Sequence, residues 1–186
     1  MGQGMNTRSD AGNRARDVIA AIGLAIGGAF GMAGTFAHET QVRQLLWTID
    51  GAALVVAFVL LGVRLFRLGY DTVAAGFLVF AIGEGLVASG NAAGLAGSVP
   101  SFGGGFSLWS AAFLLISVPR YFPVWTRVTG IVAAGLCAIT AGEISWGLPL
   151  LPTSAPLPSL AYPFAVITFV GWIWWLVARK IEDAGE

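Results

Sequence analysis

Six apolar stretches, at about residues 18–37, 44–63, 72–90, 105–120, 128–148 and 159–178, dominate the chain. Each is near the roughly 20 residues that an α-helix needs to cross about 30 Å of hydrocarbon. Lipid offers no hydrogen-bond partners, so a spanning segment must satisfy its own backbone, and a helix does so within itself. The expected fold class is all-α: an integral membrane bundle of six transmembrane helices over 18–178, with polar tails at 1–17 and 179–186. Composition agrees, since only 11% of the residues are charged, against roughly 25% in soluble domains.

The basic residues give an orientation. Arg8, Arg14 and Arg16 precede the first span, Arg64 and Arg67 follow the second, Arg120 and Arg127 flank the connection after the fourth, and Arg179 and Lys180 follow the sixth. Arg43 alone falls in an odd-numbered connection. The positive-inside rule then puts both the N- and C-termini in the cytoplasm, and a bacterial inner membrane is the expected location. Aromatic residues read as two interfacial belts. Trp47, Trp109, Trp146 and Tyr162 lie toward the outer ends of their spans, and Tyr70, Tyr121, Trp125, Trp172, Trp174 and Trp175 toward the inner ends. The first apolar stretch exceeds the usual signal core of about 7–15 residues, and Thr35-Phe36-Ala37 is a poor cleavage site, so a retained signal-anchor is expected.

The fourth span, Gly105 to Arg120, is the shortest, at about 16 residues or ~24 Å. Without it, Arg120 and Arg127 would join the side of the uncharged 91–104 segment, so it is kept as a span. Residues 91–104, rich in glycine, read as a mobile outer loop. Prolines 149, 152, 156 and 158 predict extended backbone over 148–159.

Three carboxylates fall inside apolar stretches: Asp50, Glu84 and Glu143. A charge at membrane depth costs several kcal/mol unless it finds a cavity, a partner or a proton. In the expected orientation all three lie roughly 8–10 Å below the outer helix ends, which predicts one acidic layer. Helical spacing puts Arg43 and Trp47 on the face of Asp50, Asn91 on that of Glu84, and Thr140 and Trp146 on that of Glu143. These eight residues form the candidate ligand or ion pocket, with Arg43 the natural neutraliser of Asp50. Gly83 and Gly85 flank Glu84 and predict either close helix approach or a local break.

Gly23, Gly27 and Gly31 form a GxxxGxxxG stripe suited to close helix packing, within the monomer rather than between copies. His38 and Glu39, beside Arg43, are proton-sensing candidates, although a surface histidine is usually just solvated. Cys137 is a lone core residue with no disulfide or metal role.

Enzyme signatures fail in turn. There is one histidine and no lysine within a span, so bis-histidine haem and a retinal Schiff base are excluded. No GxxxxGK[ST], HExxH or GxSxG occurs, and only one aspartate lies within a span, against the two of aspartyl chemistry. Catalytic residues, metals and cofactors are expected to be none. The ten Lys+Arg equal the ten Asp+Glu and form no run, which argues against nucleic acid.

The leading expectation is a small proton- or cation-linked carrier or permeation protein with an outward-facing acidic pocket for a small cationic or protonatable solute. Its rival is a non-catalytic membrane subunit or assembly factor that contacts lipid, a partner membrane protein or a second copy through the glycine stripe and the Trp-rich sixth span. A third is a lipid-binding protein with 91–104 as a lateral lid.

Overall fold

The architecture is one of long apolar helices that close on one another. A computed structural model describes residues 3–183, with side chains described for Gly12 and 14–178. Its long helices are α1 (Gln3–Phe36), α2 (Thr40–Arg67), α3 (Asp71–Gly90), α5 (Val99–Ser117), α6 (Val124–Ser145) and α7 (Ala161–Asp183). A 3-10 turn, Asn91–Ala93, and a four-residue helix α4, Gly94–Gly97, join α3 to α5. All six long helices are long and apolar enough to cross a membrane, and no strand occurs among the described residues.

Each long helix packs on the next in chain order, and α7 returns to α1, closing a ring. Into its centre project Phe58 from α2, Phe77 and Phe80 from α3, Phe113 from α5, and Phe169 and Trp172 from α7. Phe80 meets Phe113 edge-on at 4.8 Å between centroids, and Phe77 meets Trp172 at 4.8 Å. Ring pairs of this kind contribute about 0.5–1.5 kcal/mol each beyond the area they bury. Outside, Ile19, Ile22, Val56, Ile82, Ile139 and Val170 are exposed, the apolar coat that an acyl environment requires.

Polar links lie at the two ends. Arg127 donates from Nε to Ser117 O at 2.8 Å and from Nη2 to Val118 O at 3.0 Å, satisfying carbonyls freed at the C-terminus of α5. Asp17 of α1 pairs with Arg64 of α2, whose guanidinium lies 5.5 Å from the Trp175 ring of α7. The Arg8, Arg179 and Lys180 side chains lie outside the described ones.

The structure departs from the sequence reading in the 91–104 segment. It is helical turns followed by the first residues of α5, not a mobile loop. Pro100 fits the first turn of α5, where its missing N–H removes nothing, and Gly103 and Gly105 serve close packing. The fourth span therefore starts at Val99 and has 19 residues, about 28 Å at helical rise. Residues 148–159 are not extended: Leu150 N donates to Leu148 O at 2.8 Å in a tight turn, and further turns follow. Ser154 ties them together, its Oγ accepting from Leu151 N and its carbonyl from Ser159 Oγ.

The aromatic belts are thinner than expected. Trp109, Trp172 and Trp175 are buried core residues, whereas Trp146 and Trp174 stay 88% and 63% exposed. Trp174 and Trp175 thus differ because neighbouring helical positions lie about 100° apart.

Candidate functional site

Asp50 reaches the interior through a notch cut by glycine. Along α1, a Cβ on Gly23 would stand 2.8 Å from Ala53 O, one on Gly27 2.3 Å from Leu54 Cδ2, and one on Gly31 2.7 Å from Asp50 Oδ2. The GxxxGxxxG stripe is therefore occupied by α2 of the same chain. Trp47, one turn from Asp50, extends the contact: its Nε1 donates to Gly31 O at 3.3 Å.

Glu84 is brought in by a second close approach. A Cβ on Gly83 would lie 2.8 Å from Trp109 Cδ1 and 3.1 Å from Gly105 O, and one on Gly105 would lie 2.9 Å from Gly83 O. The backbones of α3 and α5 thus nearly touch. The helix runs unbroken through Gly83-Glu84-Gly85, so the flanking glycines give close approach at Gly83 and open space at Gly85, not a break. Glu84 Oε1 lies against α2, 3.4 Å from where a Cβ on Gly51 would stand.

Asp50 and Glu84 line one cavity, whose wall reaches Thr35 and Pro152 near the connections from α1 to α2 and from α6 to α7. Its volume is about 60 Å³, enough for several waters, since one needs roughly 10–15 Å³. Trp47, Asn91, Phe102, Trp109, Tyr162 and Phe169 complete much of its wall, with Gly27 and Gly31 at its α1 side. Tyr162 is held by donating its hydroxyl to Pro152 O at 2.8 Å.

Three polar atoms here are buried without a hydrogen-bond partner: Asp50 Oδ1, Glu84 Oε2 and Trp109 Nε1. Leaving such groups empty costs about 1–3 kcal/mol each, more when charged, so the cavity calls for water or a solute. Glu84 is only 2% exposed and Trp109 7%. Among the described residues, the one ion pair is that of Asp17 with Arg64, and neither cavity carboxylate has a cationic partner.

Arg43 does not neutralise Asp50. Its Nη2 donates to Ala37 O and its guanidinium lies 5.9 Å from the Trp47 ring. It lines a smaller adjoining cavity that shares Trp47, Asn91 and Ser98 with the acidic one. Gln44 fastens this rim by donating to Asn91 O at 3.0 Å.

The acidic layer is thereby divided. Glu143 is half-buried on α6 and does not line the cavity. Thr140 is buried but donates back to Leu136 O at 2.9 Å in its own helix, and Trp146 faces outward. His38 and Glu39 are exposed, Glu39 as the residue capping α2 without a side-chain bond. Trp109, Tyr162, Phe102 and Phe169 join the site from α5 and α7, helices that the spacing around the carboxylates did not reach. Cys137 is buried and free, and no group of three metal-binding side chains forms among the described residues.

The chain matches no family model, no curated protein and no solved structure. Its function must therefore be read from this geometry.

Proposed function

We propose that the protein is a small polytopic membrane carrier or permeation protein whose Asp50–Glu84 cavity accepts a proton, a cation or a small cationic solute from the outer face. The observation that carries the reading is the pair of carboxylates from different helices, each with a buried, unpartnered oxygen, on one cavity wall with no arginine or lysine in it. A carboxylate in an apolar bundle that merely fixed packing would be satisfied by a neighbouring helix. Asn91, Trp47, Gly27 and Gly31 belong to this proposed site, and Arg43 to its rim. His38 and Glu39 stand near the mouth as proton-sensing candidates.

The orientation belongs to the same proposal. Arg64, Arg67, Arg120 and Arg127 lie at the end of the bundle opposite the cavity mouth, while Arg43 alone lies beside it. The positive-inside rule then puts the cavity outside and both termini in the cytoplasm of a bacterial inner membrane. Single cysteines replacing Ala96 and Val124 in a Cys137→Ala background should react with a membrane-impermeant thiol reagent from opposite sides; labelling from one side overturns the topology.

Transport is tested with purified protein in vesicles carrying an internal pH dye. An imposed gradient of protons or of a small cation should collapse faster than in empty vesicles. Glu84→Gln and Asp50→Asn should abolish the difference and Glu143→Gln should not. Equal loss in all three variants, or none in any, removes the cavity from the mechanism.

One observation favours a non-catalytic subunit or assembly factor instead: Trp174 stands outward on α7. Contact with lipid accounts for that residue equally well, and α2 already fills the glycine stripe that a partner helix would use. Stable co-purification of one membrane protein together with flux-silent vesicles would favour this second reading.

A further inference from the structure

The chemistry of the cavity wall narrows the solute beyond "cation". A hard metal ion surrounds itself with six or more oxygens. Here the carboxylates stand among carbon: Leu54, Val87, Phe102, Ala165 and Phe169 share the wall. No trio of metal-binding side chains exists among the described residues. An inorganic cation would have to shed water against hydrocarbon, whereas an organic one presents hydrocarbon to hydrocarbon and its charge to the acids and the aromatic rings.

The unpartnered atoms say more. Asp50 Oδ1 and Glu84 Oε2 are acceptors without donors, so the charged group should carry N–H bonds, which a quaternary ammonium lacks. Trp109 Nε1 is a donor without an acceptor, buried at 7% exposure on the same cavity. A ligand that fills all three valences therefore has an ammonium N–H group at one point and an acceptor oxygen at another. We infer that the cavity binds a small organic ammonium ion with an acceptor oxygen, the nitrogen held by Asp50 and Glu84 and the oxygen by Trp109 Nε1. This rests on the cationic-pocket reading and specifies its solute class.

The test uses the full chain in lipid nanodiscs, with empty nanodiscs as blank, and calorimetric titration of four probes. These are protonated 2-aminoethanol, protonated ethylamine, neutral ethane-1,2-diol, and sodium or potassium chloride, the organic probes being of a size that about 60 Å³ admits. The amino alcohol should bind at least about tenfold more tightly than the diol, the loss expected when a charged hydrogen bond is removed. It should also bind several-fold more tightly than the plain amine, as one neutral hydrogen bond implies. Trp109→Phe keeps an aromatic side chain but removes the N–H together with the five-membered ring, so the readout is the ratio between the two amines within the variant: the preference for the amino alcohol should be lost even where both affinities shift together. Glu84→Gln should weaken both amines at least about tenfold. An unchanged melting temperature in both variants shows that the fold is kept, and the ratio between probes within one variant is independent of how much protein is active.

Equal binding of the diol, competition by sodium or potassium at matched concentration, or an unaltered preference in Trp109→Phe overturns the inference. Its failure is separable from that of the pocket itself. A Glu84-dependent collapse of the pH gradient without amine binding leaves a proton or inorganic-cation site and removes the organic solute. Absence of both amine binding and any Glu84-dependent flux removes both.

Discussion

Asp50 sits where Gly31 has no side chain: a Cβ there would come within 2.7 Å of Oδ2 and 3.1 Å of the carboxyl carbon. The acid is thus lodged between α1 and α2 by the missing atom. Gly31→Ala should displace the carboxylate and destabilise the bundle by about 1–3 kcal/mol, the usual range for overpacking. Gly28→Ala, whose added carbon would meet Phe169 and Val166 at 3.7 Å, should be near neutral. Thermal unfolding in one detergent compares them, and equal melting temperatures for both variants contradict the packing argument.

The glycines either side of Glu84 should respond oppositely. Gly83→Ala would press on Trp109 and on the backbone carbonyl of Gly105, neither of which can swing aside freely, so a loss of about 1–3 kcal/mol is expected. Gly85 faces open space, and alanine there should be neutral or stabilising by up to about 1 kcal/mol through helix propensity. Melting curves of the two single variants decide it.

Asp17 and Arg64 form a mostly buried pair that joins the α1 and α2 ends farthest from the cavity mouth. Asp17→Asn should cost about 1–3 kcal/mol, less than the 3–5 typical of a fully buried pair, because Arg64 keeps the Trp175 ring and some solvent. In a double-mutant cycle with Arg64→Gln, the second substitution should add less than it does alone. Strict additivity would show that the two charges do not interact.

Arg43 places a positive charge on the small cavity that adjoins the acidic one. If a cation enters there, Arg43→Gln should raise its association rate several-fold at low ionic strength, and the difference should fade near 1 M salt, where screening acts within about 3 Å. Stopped-flow tryptophan fluorescence with an organic ammonium probe reads this directly. A salt-independent change would point to altered packing on Trp47 instead.

How far the molecule was legible in its residues depended on what each signal encodes. Hydropathy sums over a whole turn, so the six helices and their order were readable from apolar run length alone. Helix ends were less so. Gly103 and Gly105 look like loop formers in a linear reading, yet their role is to let α5 press against Ile144 of α6 and the α3 backbone. Depth was also insufficient for the site. Asp50, Glu84 and Glu143 were expected at one level, but a level fixes height and not azimuth, and only the neighbours in the ring decide which acids face one cavity. The glycine stripe opposite Asp50 and Gly83 beside Glu84 were the available signals, since small residues mark where helices come closest. Trp109 and Tyr162 were misread as interfacial anchors because a tryptophan or tyrosine near a span end looks the same from outside or inside the bundle.

The ring closes only where α7 returns to α1, and both helices help to wall the cavity. Two helices separated by the whole length of the bundle in sequence must therefore meet before the chamber exists. A bundle lacking α7 would hold the two acids in an unfinished cleft, so assembly of this site waits on a helix that carries neither of them.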